Sequence, residues 1–397
     1  MDLFGNWGDT LHETLRGVAA TEPVAWDSST GAAIVLRHRD VAGLARDGRL
    51  TGIGLALFDL MGISDGPLRD WYSGLMFTNE GATHRRLRSL VARAFTPRAA
   101  EALRHTAVTL AGDALARPSG PDGPDDLVER FALVPIRVMC RLLGVPDSDV
   151  GRFAAWLDDL ARVFVVMSPG EIADATAAIV ELLGYIDELA RRRRADPKVD
   201  LITALLAAED DGERLTHDEV VGMVANLLVA GQDTTTSQLG CSLLVLLADA
   251  HGRAQVRSDD ALLSHLVSET IRLEPAIPVL PRTSTDPLRI DRCEIPAGSV
   301  VMLCSATANR DPATWKDPDR FDARRFADPA APPLLTFGAG PHYCLGAALA
   351  RVTLEECLRT VLAADDWYEL MEAPDKIPWR SAVGRSPARL LVTPVPG

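Results

Sequence analysis

The chain has little of what would let it chelate metal through paired cysteines, cross a bilayer or hold nucleic acid. Its six cysteines, Cys140, Cys241, Cys293, Cys304, Cys344 and Cys357, are scattered with no C-x-x-C pair, which argues against a zinc knuckle and against a disulfide scaffold. No uninterrupted apolar run reaches the roughly 20 residues needed to span a membrane. Met1-Asp2-Leu3-Phe4 carries acid where a secretory peptide carries base, so a cytoplasmic location with no membrane contact is expected. Basic charge is in deficit: 41 Lys and Arg face 55 Asp and Glu, a net charge of -14, and nucleic acid gains nothing electrostatically. A G-x-G-x-x-G dinucleotide fingerprint and a flavodoxin-like segment are both missing, so NAD(P)H is not expected to bind here. There is no internal repeat and no linker. The one Pro/Gly-dense polar stretch, Pro118 to Asp126, is short and reads as a surface loop. A single large domain over 1-397, built around an internal cofactor, is compatible with this length.

What is present is mostly helical. Amphipathic patterns rich in alanine and leucine predict helices at Arg39 to Ala45, His84 to Ala94, Pro97 to Ala116, Pro135 to Leu143, Ser148 to Phe164, Glu171 to Arg194 and Leu201 to Ala208. Strand signals are short: a hairpin of Pro23 to Trp26 with Ala33 to Leu36, then Leu288 to Ile290, Ile295, Ser299 to Leu303 and Arg389 to Val392. The fold class is therefore mainly α with minor β sheets. The small β-containing part falls at about 20-55 and 280-305, and the helical bulk at 56-279 and 306-365. The longest periodic stretch starts at a capping box, Thr216-His217-Asp218-Glu219, and continues to about Ala248. It is apolar on nearly every side and must cross the core. In its middle, Ala230-Gly231-Gln232-Asp233-Thr234-Thr235-Thr236 lowers helix propensity and is expected to let the hydrogen-bond ladder open beside a ligand. An acid and alcohols at that depth need partners or a task.

The most informative segment is Phe337-Gly338-Ala339-Gly340-Pro341-His342-Tyr343-Cys344-Leu345-Gly346. It presents one cysteine from a glycine-rich turn that leads into an apolar helix. Glycines let backbone N–H groups approach the sulfur, and the helix start places positive charge beside it, so both features favour the thiolate. This loop resembles the haem-binding signature of the cytochromes P450, and the chain resembles the soluble bacterial (actinobacterial-like) class of that family. The resemblance implies the cytochrome P450 fold, with haem b (iron protoporphyrin IX) between the long central helix and the helix after the cysteine loop. It implies Cys344 as the metal ligand, and O2 as co-substrate.

The resemblance also assigns roles elsewhere. Asp233 and Thr234 match the family's acid-alcohol pair, with Thr234 hydrogen-bonding at the site of oxygen activation and Asp233 relaying protons. Ala230 and Gly231 keep the helix surface low over the macrocycle. His84 and Arg88, at i and i+4 on one helical face, together with Arg282 and His342, would meet the haem propionates, and Phe337, Gly338 and Gly346 complete the cofactor-binding set. Glu269 and Arg272 resemble the family's Glu-x-x-Arg, joined by Arg320 or, by spacing, Arg325. Arg85 and Arg86 make a basic patch that could dock an acidic ferredoxin; the Arg191 to Arg194 run reads as a solvated helix end.

By similarity the substrate pocket draws on Leu57 to Phe77, Phe164 to Ile172, Leu227, Ala230, Gly231, Ile277 to Leu280 and Ala382-Val383. Its expected lining is Phe58, Met61, Leu75, Met76, Phe77, Phe164, Met167 and Val279, with Trp71, Tyr72 and Asn79 as polar or stacking contacts. The glycines of Thr51-Gly52-Ile53-Gly54, with Gly62 and Gly66, suggest a mobile mouth. The implied function is a haem-thiolate monooxygenase, a monomer, that hydroxylates or epoxidises a medium-to-large hydrophobic molecule (terpenoid, steroid, macrolide or aromatic secondary metabolite). Its electrons come from ferredoxin and ferredoxin reductase. Two alternatives carry forward: a P450 performing oxidative coupling, C–C or aryl bond formation or desaturation, and a non-catalytic haem sensor or electron carrier.

Overall fold

The computed structural model describes residues 10–116, 124–210, 212–257, 259–364, 366–381 and 384–396. The N-terminal Met1 to Phe4 and most of the Pro118 to Asp126 loop lie outside the described residues. A 32-residue helix, His217–Ala248, runs through the core. Its start is dictated locally: the Glu219 N–H donates to Thr216 Oγ1 at 3.2 Å and the Thr216 N–H donates to the Glu219 carboxylate at 2.8 Å, closing the expected capping box. At 1.5 Å per residue it is about 48 Å long. Helices Val134–Leu143, Pro169–Ala195, Leu263–Leu273 and Ala347–Leu362 pack around it. The weak middle does not interrupt it. Residues 230–236 remain helical, and the Thr234 hydroxyl donates to the Ala230 carbonyl at 2.8 Å, tying itself to the preceding turn.

Most sequence-predicted helices stand close to their expected limits. Val134–Leu143 stops at Gly144 with φ 70°, and Pro169–Ala195 starts from a second capping box, Ser168 with Glu171. Two expected helices differ. Pro97 to Ala116 divides into Pro97–Glu101 and Arg104–Ala116, although no proline or glycine lies at the break. The cause is tertiary: Arg104 is drawn between Glu101 and the pair Glu355 (3.0 Å) and Glu356 on the Ala347–Leu362 helix. Ser148 to Phe164 is regular only over Val150–Leu160 and tightens into a 3-10 turn, Ala161–Phe164.

The main sheet has the strand order Val24–Trp26, Ala33–Val35, Val300–Cys304, Val279–Ser284, Leu50–Thr51. Ala25 faces Ile34 in the expected hairpin, and Ala33–Val35 then pairs in parallel with Val301 to Leu303. On the far side Val301 faces Arg282, which fixes the height of that arginine. A second sheet joins Asp366–Leu370, Leu391–Pro396 and Asp125–Asp126. Only its Leu391-Val392 part was signalled in sequence. A hairpin of Trp379–Ser381 and Arg385–Pro387 lies against the central helix. No described helix is long and apolar enough to cross a membrane.

Candidate active site

A mainly apolar cavity of about 450 Å³ lies between the central helix, the cysteine loop and the helix that follows it. The loop is shaped by its own backbone. The Cys344 N–H donates to the Phe337 carbonyl at 2.8 Å, the Gly338 N–H to Leu335, and the Tyr343 N–H to Gly340. Gly338 and Gly340 have φ of 72° and 67°, and a Cβ on Gly340 would come within 2.9 Å of the Ala45 carbonyl, so glycine is required there. Cys344 thereby faces the cavity, together with Phe337, Gly338, His342 and Gly346. Burial pushes the Cys344 thiol up, while the Gly346 and Ala347 N–H groups and the Arg88 guanidinium pull it down. These donors act in the direction the sequence predicts, yet burial outweighs them.

The expected basic groups collect at the same cavity. His84, Arg88 and Arg282 all line it. His84 is buried on the Gly81–Ala94 helix, and its Nε2 has no hydrogen-bond partner among the described residues. Its ring stacks on His342 at 4.4 Å, and burial, His342 and Arg88 hold its pKa below the ordinary value. Arg88 donates to the Tyr343 carbonyl at 2.7 Å, and Arg282 Nη1 to the Pro281 carbonyl at 2.8 Å. Burial lowers the pKa of both. His342 differs from expectation in its partner. Its Nε2 is held by the Glu80 carboxylate at 3.0 and 3.1 Å, and Glu80 also takes the Gly52 N–H at 2.7 Å.

Ala230, Gly231 and Thr234 form one strip of the cavity wall. A Cβ on Gly231 would meet Met139 only at ordinary contact distance, 3.6 Å, so helix packing does not demand glycine there. Asp233 is not on the wall. Its Oδ2 accepts from the Gly384 N–H at 3.0 Å and its Oδ1 lies 3.9 Å from Arg380 Nη1, both on the hairpin behind the helix. Burial pushes its carboxyl up and these two partners pull it down. One residue separates it from Thr234 by about 100° of helix rotation, which is why the pair cannot share a face.

Of the expected substrate contacts, Tyr72, Met76, Phe77, Phe164, Leu227 and Ile277 line the cavity with Leu280. Phe58, Leu75 and Val279 are instead fully packed core, and Met61 Sδ takes the Met167 N–H at 3.1 Å. Asn79 is spent on the Ser73 and Leu75 carbonyls. Ala382-Val383 lies outside the described residues. Sequence reasoning missed Met139 and Val138 from the neighbouring helix, Asn226, and Gln238, whose amide bridges the Glu274 carbonyl (3.0 Å) and the Ala276 N–H (2.9 Å). An amide inside an otherwise apolar helical run was the available signal for Asn226.

Outside the cavity, Glu269 and Arg272 are fully buried and doubly bonded at 2.7 and 2.9 Å. Arg325, not Arg320, brings the third side chain, at 3.4 Å from Glu269; Arg320 contributes its carbonyl to Arg272. The expected basic patch is half neutralised, since Arg86 is held by Glu219 and the Arg214 carbonyl.

Comparison with known proteins agrees with this geometry. The family description "Cytochrome P450" matches residues 153–392. The chain is 36% identical to vitamin D(3) 25-hydroxylase of Pseudonocardia autotrophica over 80% of this chain and 77% of that protein. It is 34% identical to the cyclomarin C epoxidase CymV of Salinispora arenicola over 87% of each. The solved structure of cytochrome P450 CYP109Q5 from Chondromyces apiculatus superposes with a TM-score of 0.88 at 28% identity, over all of this chain and 98% of that one. Agreement that extends through fold, cysteine loop and monooxygenase relatives over most of the length is decisive: the chain belongs to the cytochrome P450 family of haem monooxygenases.

Proposed function

We propose that the protein binds haem b through Cys344 and hydroxylates or epoxidises a medium-to-large hydrophobic small molecule. The observation that carries this reading is Cys344 on the wall of a mainly apolar cavity that also presents the Ala230–Thr234 strip. The residues present suit the group. A flat macrocycle with two carboxylates calls for a thiolate on one side and cations at its edge, and His84 Nε2 lies buried there with no protein partner among the described residues. Arg88, Arg282 and His84 would hold the propionates. His342, already engaged by Glu80, would orient His84 through its ring. When bound, haem supplies the electron transfer and oxygen chemistry that no side chain can.

The chain's own residues then handle position and protons. The apolar wall of Met76, Phe77, Phe164 and Leu227 excludes water and takes up hydrocarbon. Thr234 Oγ1 can exchange its bond to the Ala230 carbonyl for one to a water or an oxygen substrate in the cavity. Asp233, held behind the helix by the Gly384 N–H and near Arg380, would relay protons toward Thr234 on leaving Gly384. The relatives named as a hydroxylase and an epoxidase support oxygen insertion over coupling chemistry. Electrons are proposed to come from ferredoxin and ferredoxin reductase, to a monomeric cytoplasmic enzyme. The test is the absorption spectrum of the reduced, CO-exposed protein. A Soret band near about 450 nm is expected from thiolate ligation, and Cys344→Ala should abolish it; an unchanged band in that variant would remove Cys344 from its role.

A further inference from the structure

The central helix carries a polar side chain at the cavity whose amide oxygen nothing among the described residues satisfies. Asn226 lies within the buried run Val220 to Val229 and is only 4% exposed, yet it contributes to the cavity lining. Its Oδ1 has no hydrogen-bond partner among the described residues. Its Nδ2 reaches only the Met223 sulfur, at 3.8 Å, which is a weak acceptor. Thr234 and Gln238, the neighbouring polar side chains of the same wall, are by contrast occupied by the Ala230 carbonyl and by Glu274 and Ala276. Buried amides are nearly always paired, and an unpaired one destabilises the protein that keeps it. The Oδ1 is closed off from solvent and unpaired among the described residues, so a ligand in the cavity meets it once the amide turns about its terminal torsion.

We propose that Asn226 is the specificity-determining anchor for the substrate, taking a hydroxyl or secondary amide of an otherwise hydrocarbon molecule. This rests on the substrate-oxidising reading above and narrows it. An asparagine amide both donates and accepts, and its broad terminal torsion exchanges the two ends without disturbing the helix. Asn226, Ala230 and Thr234 follow one another at intervals of four residues along one face. The anchor is therefore about 6 Å along the axis from Ala230 and about 12 Å from Thr234. A molecule held there presents to the Ala230–Thr234 strip a carbon roughly 6 to 12 Å from its polar group. The substrate class is thus a hydrophobic molecule with one buried hydrogen-bonding group at that distance from the carbon oxidised.

A matched ligand series tests this on the haem-loaded protein. The probes are 1-alkylimidazoles, pinned at one end by ring nitrogen on iron, with tails spanning roughly 6 to 12 Å that end in either a hydroxyl or a methyl group. Binding is read from the Soret red shift on titration. One tail length is expected to favour the hydroxyl about tenfold. In Asn226→Leu, and independently in Asn226→Ala, that preference should vanish while methyl-ended ligands bind at least as tightly. Equal affinity of both tails at every length in the unaltered protein, or a hydroxyl preference that survives both substitutions, would overturn the anchor alone. Absence of any red shift would overturn the haem reading and the anchor with it. A cofactor-independent readout is thermal unfolding of Asn226→Leu, whose midpoint should hold or rise; a clear fall would show the amide to be satisfied within the protein and would also sink the proposal.

Discussion

Two clusters of buried charge stand in this molecule, and they are built on opposite plans. Around Glu269 every charge is answered. Arg272 bonds both carboxylate oxygens, Arg325 and the Asp322 N–H complete the acid, and the remaining Arg272 donors reach the Asn309, Pro318 and Arg320 carbonyls. Around the cavity the balance is one-sided. Among the described residues, Arg88, Arg282 and His84 converge with one acid nearby, Glu80, which is already taken by His342 and Gly52. Burial lowers the pKa of all three bases. A closed network rigidifies the fold and needs nothing further, whereas two guanidiniums held only by backbone carbonyls beside a buried imidazole gain from an anion. The first cluster is closed within the chain, and the second is the one proposed to take the haem carboxylates.

That contrast breaks if the two clusters respond alike to substitution. The largest effect is expected at Arg272. Arg272→Leu leaves Glu269 charged and buried with one distant guanidinium, and should cost about 3–5 kcal/mol of unfolding free energy. Chemical denaturation with and without haem should show the same loss; a loss seen only with haem would place this cluster with the ligand. Arg88→Gln and Arg282→Gln should do the reverse. Each should leave the cofactor-free protein within about 0.5 kcal/mol of its original stability. Each should also weaken haem retention by roughly ten- to a hundredfold, the worth of one charge-assisted hydrogen bond. Haem transfer to an acceptor globin measures it, and unaltered transfer rates in both variants would contradict the assignment.

The same contrast explains what could be read in the sequence. The cysteine loop was legible because its geometry is local: two positive-φ glycines and three short backbone bonds within ten residues shape it, and those residues are contiguous. The capping box at Thr216 was legible for the same reason, whereas the one at Ser168 emerged only in the structure. The substrate wall was not, since a phenylalanine pattern looks the same whether the ring faces a cavity or another ring. Phe77 and Phe164 reach the cavity, while Phe58 stacks on Tyr72 at 4.3 Å in the core. Asp233 was correctly singled out as a buried acid. Its direction was not readable, because it is decided by the Gly384 N–H, 151 positions along the chain. Likewise nothing local separates Arg325, which sends its side chain to Glu269, from Arg320, which offers a carbonyl.

The smallest expected effect is also the one that reports the sign of the field at the cavity edge. Burial, then His342 and Arg88, hold the folded pKa of His84 below 6.5, its ordinary value. Between that lowered value and about 6.5 the unfolded chain binds more protons than the folded one, so stability rises with pH across the window and falls as acid is added. His12, lowered chiefly by its own burial, contributes a slope of the same sign. In the cofactor-free protein His84→Asn should therefore flatten, without abolishing, the acid-side decline, by less than about 1.4 kcal/mol per pH unit. With haem in place the propionates would favour the charged imidazole, raise its pKa and remove most of the His84 share even in the unaltered protein. A decline below about pH 6.5 that is identical with and without haem, and indifferent to His84→Asn, would mean that no anion sits against this ring. The cationic edge would then be a solvated surface with no ligand to explain it.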